Sequence, residues 1–325
     1  MSTRFGPETP SRVSRQRNWT APKISVVVPA RNEAANLPAV VSRLPGDLFE
    51  VILVDGHSTD GTVDVARELL PDARVFHQEG RGKGDALAIG FAAATGDIIV
   101  MLDADGSADA AEIPRFVAAL VAGADFVKGS RFAQGGGSSD ITPTRRLGNR
   151  ALCTLVNRAY GMVYTDLCYG YNAFWADCLP LLQCAWPGSP FPAGTTAPYG
   201  TGFEVETMLN IRAAKAGLIV WEMPSFERPR ISGQSNLHAI RDGLRILRTI
   251  WRESPGQALR RERAVIADLH STLGAPMALP SPKRREDLVP SLPSLPAKEF
   301  LTVVPDHVVL NGNGRVASPP NGHMP

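Results

Sequence analysis

From residue 24 to residue 128 the chain alternates between short, β-branched apolar runs and stretches whose apolar residues recur every three or four positions. Strands are predicted at 24–28, 51–54, 74–76, 98–102 and 125–128, with helices at 34–44, 62–70, 85–94 and 112–122 between them. Continuous apolar strands separated by helices of about ten residues are the pattern of a sheet covered on both faces. The expected fold class is therefore α/β, with a mostly parallel central sheet and helices on both sides. In such sheets ligands bind beyond the carboxyl ends of the strands, so the residues that follow each strand are the place to look for chemistry.

Of the 325 residues, 44% are hydrophobic and 20% charged, enough apolar material for a large core and too much for wholesale disorder. Thirty-four Lys and Arg against 32 Asp and Glu leave a formal charge of +2, too little for a nucleic-acid binder that relies on phosphate neutralisation. Residues 1–22 carry Arg4, Arg12, Arg15 and Arg17 among Ser, Thr and Pro, without an apolar period, and read as a disordered basic arm. Ten of the 27 prolines lie in 276–325, so 253–325 reads as a mostly disordered Pro-rich tail and 23–252 as the catalytic domain. The four cysteines show no CxxC spacing and are expected to be reduced thiols. No apolar run approaches the roughly 18 residues of a spanning helix, which points to a cytoplasmic protein with, at most, peripheral contact at the inner face of the membrane.

Polar clusters follow the strands: Pro29-Ala30-Arg31-Asn32-Glu33 after the first, Asp55 through Gly61 after the second, and Asp103-Ala104-Asp105-Gly106 after the fourth. Asn32, Asp60 and Asp109 are ordinary turn formers or helix caps. Asp103 and Asp105 are different, because two carboxylates one residue apart at the end of an apolar strand need a cation to relieve their repulsion. A metal held by so few carboxylates completes its shell with water and substrate phosphates, the habit of Mg2+ or Mn2+ on a nucleotide diphosphate. Gly80-Arg81-Gly82-Lys83-Gly84 lets backbone approach a phosphate just before a helix, although a flexible turn with solvated cations has the same composition.

In this order and spacing, Val-Pro-Ala-Arg-Asn-Glu at 28–33, Val-Asp-Gly-His-Ser-Thr-Asp-Gly-Thr at 54–62, Gly-Lys-Gly at 82–84, Asp-Ala-Asp at 103–105 and Gly-Ser-Arg-Phe at 129–132 resemble the family 2 inverting glycosyltransferases. The resemblance spans about residues 23–250 and implies a GT-A nucleotide-diphospho-sugar transferase fold. Downstream, the motifs at 166–172, 202–206 and 229–237 resemble the polyprenyl-phosphate hexosyltransferases, such as the dolichol-phosphate mannosyltransferases. By this resemblance Pro29, Arg31, Glu33 and Asp55 lie around the nucleoside of a nucleotide-diphospho-sugar donor, and Lys83 lies near its diphosphate. Asp103 and Asp105 would bind ribose and metal, with Asp105 also catalytic. His57 stands where the family more often has Asp, Asn or Gly.

A polyprenyl phosphate acceptor already carries its nucleophilic oxygen, so cations matter more than a base. Arg131 and Arg230 are then the candidates for holding the acceptor phosphate. A soluble hydroxyl acceptor would instead require a base, with Asp166, Glu204 and Glu206 as candidates. A third reading is a non-catalytic sugar-nucleotide-binding protein, against which the intact Asp103 and Asp105 argue. The segment around Arg145, Arg146, Leu147, Arg150, Leu155 and Arg158, and the stripe Leu237, Ile240, Leu244, Leu247 and Trp251 with its four arginines, read as basic amphipathic helices. Each either packs its stripe on the core or lies in a lipid headgroup plane. The Pro- and Gly-containing stretch 184–202 is longer than an ordinary connection and reads either as a lid or as an inserted surface loop.

Overall fold

The computed structural model describes residues 17–182, 202–233 and 239–254. In chain order these form β1 (Ile24–Ala30), α1 (Leu37–Val41), β2 (Glu50–Asp55), α2 (Thr62–Leu69), β3 (Arg74–His77), α3 (Lys83–Ala93), β4 (Ile98–Met101), α4 (Ile113–Val121) and β5 (Phe126–Ser130). The second half adds β6 (Gly137–Ser138), α5 (Pro143–Tyr160), β7 (Asn172–Trp175), α6 (Leu179–Leu182), α7 (Glu204–Lys215), β8 (Val220–Pro224), β9 (Phe226–Glu227) and α8 (Ala239–Glu253). All lie in the first of two contact units, Met1–Asp268; the second, Leu269–Pro325, is outside the described residues. Also outside them are positions 1–16 of the expected arm, 184–201 of the long connection, 234–238, and the tail beyond 254.

The mostly parallel sheet is present, in the order β3-β2-β1-β4-β7-β5-β8. Its five predicted strands and intervening helices fall within a few residues of their expected places, because continuous apolar runs such as Val26, Val27 and Val28 are buried from both sides. The first helix is the exception: only Leu37–Val41 is helical, since the Glu33 carbonyl accepts from the backbone of Asn36 and Leu37 in a turn that delays it. Strand β7 runs antiparallel between β4 and β5. That reversal matters for function, because the segment 166–171 that feeds β7 must arrive at the edge where β4 and β5 end. The residues after β1, β2, β4 and β5 and those before β7 are thus gathered at one edge.

Helix α3 lies close on the sheet through Gly90, where a Cβ would come 2.2 Å from Val27 Cγ1. A smaller core of Cys153, Val156, Tyr164, Leu167, Ile211, Ile246 and Ile250 joins α5, α7 and α8. Of the stripe expected on α8, Leu244, Leu247 and Trp251 face outward, while Ile246 and Ile250 face in. At the opposite edge of the sheet from the strand ends, Arg17 bonds Asp177 at 2.8 and 2.9 Å and Asp125 at 2.7 Å, with its guanidinium 5.2 Å from the Trp175 ring centroid.

Candidate active site

The loops after β1 and β2 are laced together by the residues expected to shape turns. The Asn32 amide oxygen accepts from the Thr59 backbone N–H at 2.8 Å, and Asp60 accepts from the backbones of Ala34 and Thr62, each at 3.0 Å. Asn32 and His57 hold positive φ angles of 57° and 63°, which marks the turn geometry at each strand exit. This lacing places Pro29, Arg31 and Asp55 together, since Ala30 and Asp55 are register partners. Asp55 is buried, accepts from the Ser58 backbone at 3.2 Å, and lies 3.3 Å from His77 Nδ1. Arg31 is exposed at the strand exit.

Two ion-pair chains hold the acidic residues. Lys83 opens α3 and bonds Asp103 at 2.6 Å and Glu206, on α7, at 2.5 Å. Burial works against the Lys83 charge, but Asp103 and Glu206 outweigh it and raise its pKa. Burial also pushes the Glu206 carboxyl up, with Lys83 pulling the other way. Gly170 allows this junction: a Cβ there would come 2.6 Å from both Lys83 Nζ and Glu206 Oε1. In the second chain Arg230 bonds Asp105 at 2.9 Å and Glu33 at 3.0 Å, and Glu33 also accepts from Asn36. Burial raises the Glu33 pKa against the opposing pull of Asn36 and Arg230.

Four carboxyl groups, from Glu33, Asp103, Asp105 and Glu206, therefore share two cations. Such a set is short of positive charge and made of hard oxygen donors, which fits Mg2+ or Mn2+. Among the described residues no group of three or more His, Cys, Asp or Glu is placed to hold a metal by itself, so Asp103 and Asp105 suit a cation that shares its shell with a diphosphate.

Arg131 is placed differently from what its expected contact with an acceptor requires. It is 6% exposed, with Nε and Nη2 on Asp166 at 2.7 and 3.0 Å and Nη1 on Glu227 at 3.0 and 3.1 Å. Burial opposes the Asp166 charge, but Arg131 holds its carboxyl below the usual range. Asp166 is thus the ionised anchor of Arg131, an arrangement opposed to that of a proton acceptor. Glu204, at the first position of α7, accepts from the Gly202 backbone at 3.3 Å, and it is Glu206, two positions on, that meets Lys83. The sequence reading missed Glu227 and Asn36; Glu227 stands three residues before Arg230, yet its pairing with Arg131 depends on β9 lying beside β6.

Beside this cluster the guanidinium groups of Arg131 and Arg146 stand 5.8 and 5.6 Å from the Phe132 ring centroid. Phe132, Pro143, Arg146, Leu147, Arg150 and Thr154 line part of an open groove of about 500 Å³ on α5.

A largely parallel sheet with paired carboxylates at its central strand end, a buried lysine beside them and a nucleoside-sized edge at β1 and β2 defines a nucleotide-diphospho-sugar transferase of the GT-A type. The family 2 glycosyl transferase model matches residues 25–179. The chain is 30% identical over 244 residues to glycosyltransferase AglJ of Haloferax volcanii, covering 72% of this chain and 73% of that protein. It is also 30% identical over 224 residues to undecaprenyl-phosphate mannosyltransferase of Micrococcus luteus, covering 66% of this chain and 87% of that protein. The chain belongs to glycosyltransferase family 2. Its fold is shared with glucosyl-3-phosphoglycerate synthase of Mycobacterium tuberculosis, solved with Mn2+, UDP-glucose and phosphoglyceric acid, at a TM-score of 0.56 and 24% identity over 77% of this chain and 85% of that one.

Proposed function

We propose that the protein transfers a hexose from a nucleoside-diphosphate sugar to polyprenyl phosphate, with inversion at the anomeric carbon. The observation that carries the acceptor is the groove on α5, which sets Arg146 and Arg150 beside Leu147, Pro143 and Phe132: cations for a phosphate next to an apolar path for a chain. The undecaprenyl-phosphate acceptor in the name of the Micrococcus luteus relative supports the same reading.

Asp55 and the exits of β1 and β2 hold the nucleoside, and Lys83 stabilises negative charge on the departing diphosphate. Asp103 and Asp105 hold Mg2+ or Mn2+, which when bound screens the diphosphate and stabilises its charge as it leaves. Arg230 releases Asp105 when the donor binds and turns its guanidinium toward phosphate. Arg131 is a positioning residue: locked by Asp166 and Glu227, it supports Phe132 and so the wall of the groove. The acceptor oxygen is already anionic, so no carboxylate is needed as base. A soluble hydroxyl acceptor is the second reading, favoured by one observation: Glu206, its carboxyl raised by burial, lies beside Asp103 and Lys83, where a base would stand.

The deciding assay incubates the protein, Mg2+ or Mn2+ and a panel of labelled nucleotide sugars with and without polyprenyl phosphate. Label entering the organic phase from one donor is expected. Transfer only to water-soluble hydroxyl acceptors would replace the lipid reading with the second. Asp105→Ala is expected to lower transfer by about a hundredfold or more while leaving the thermal midpoint in place.

A further inference from the structure

Helices α5 and α8 both pack on α7, and their inward faces meet in the small core through Cys153, Val156, Ile246 and Ile250. That choice of inward face leaves a second row of large apolar side chains outside. On α8, Leu244, Leu247 and Trp251 are 63%, 45% and 61% exposed, and on α5, Leu147 and Leu155 are 70% and 45% exposed. Isolated exposed leucines are ordinary, but a row of them with a tryptophan on packed helices is a surface built to meet something.

The charge on these helices names the partner. Helix α5 carries Arg145, Arg146, Arg150 and Arg158 and no acidic residue, and α8 carries Arg241, Arg245, Arg248 and Arg252. The two acids of α8 are buried: Asp242 lies 3.6 Å from Arg245, and Glu253 is held by Arg212 and Lys215 at 2.9 and 2.8 Å. Eight arginines thus share two helices with no outward carboxylate, in a chain whose formal charge is only +2. A nucleic acid would use the arginines and leave the apolar row in water. An anionic bilayer uses both, taking Leu and Trp into the headgroup boundary while lipid phosphates meet the arginines.

We propose that the outward faces of α5 and α8 form a docking surface for an anionic lipid membrane. Docking there brings the α5 groove, with Arg146 and Leu147, to the lipid surface, and in that respect the inference deepens the polyprenyl-phosphate reading. The docking itself needs neither acceptor nor donor.

The test floats the full chain with vesicles of phosphatidylcholine alone or mixed with phosphatidylglycerol, lacking polyprenyl phosphate and nucleotide sugar. Flotation with the anionic vesicles, weakened by salt, is expected. The double variant Leu244→Ser with Trp251→Ser should keep its circular dichroism and thermal midpoint, since both side chains are exposed, and should lower partitioning by about tenfold. The triple variant Arg241→Gln, Arg245→Gln and Arg248→Gln should lose the preference for phosphatidylglycerol. No flotation of the parent, or unchanged flotation of the folded double variant, overturns the proposal. So does RNA binding or self-association through this face without flotation. Transfer to a short, water-soluble polyprenyl phosphate, measured in parallel, should survive in the double variant. Flotation without any transfer would overturn the acceptor reading and leave the docking surface standing.

Discussion

At the scale of single residues, the site is organised by charges that occupy one another. Arg230 holds both Asp105 and Glu33, so a divalent cation competes with a guanidinium for the same carboxylates. Replacing it, as Arg230→Gln, should tighten Mn2+ binding to the protein alone by about tenfold, read by electron paramagnetic resonance of free Mn2+, while slowing transfer. Unchanged Mn2+ affinity would show that Arg230 does not guard the site. The Arg131–Asp166 pair makes a different prediction. Arg131→Met leaves a buried carboxylate unpaired and should cost about 3–5 kcal/mol in denaturant unfolding. Because the folded pKa of Asp166 is depressed, its stabilisation is present above the unfolded value of about 3.9 and is lost as pH falls through the lower folded value. The stability gap between the parent and Asp166→Asn should therefore shrink in acid below about pH 4.

Among the secondary-structure elements, the antiparallel insertion of β7 decides what the site contains. It carries Gly170 to the junction of Lys83, Asp103 and Glu206, which belong to three separate segments of the chain. A methyl group there has no room, so Gly170→Ala should part Lys83 from Glu206 and lower kcat by about tenfold or more. The thermal midpoint should fall little, because the displaced groups are the flexible ends of side chains. A variant with full activity would remove this junction from the catalytic geometry.

On the scale of the whole molecule, Arg17 ties the segment ahead of β1 to the edge of the sheet opposite the site. It meets Asp125, before β5, and Asp177, after β7. Arg17→Ala leaves both carboxylates without this partner and should lower stability by about 1–3 kcal/mol, measured by chemical denaturation, with the Michaelis constant for the donor unchanged. A matching loss of donor affinity would show that the two edges are coupled.

The strands from β1 to β5, the edge that carries the chemistry and the cation-seeking pair Asp103 and Asp105 were all legible in the sequence, because they depend on local apolar periodicity and on neighbours one or two residues apart. The partners of those residues were not. Lys83 meets Glu206 across 123 positions, Arg230 meets Asp105 across 125, and Arg131 meets Glu227 across 96. Arg131 was legible as an acceptor cation by its motif, yet only packing reveals that Asp166 and Glu227 occupy it. The stripes of α8 show the same division. Two apolar rows are written into one helix, and its sequence cannot say which is the core face. Packing against α7 buries Ile246 and Ile250 and leaves Leu244, Leu247 and Trp251 outside, because a helix can press only one side against its neighbour.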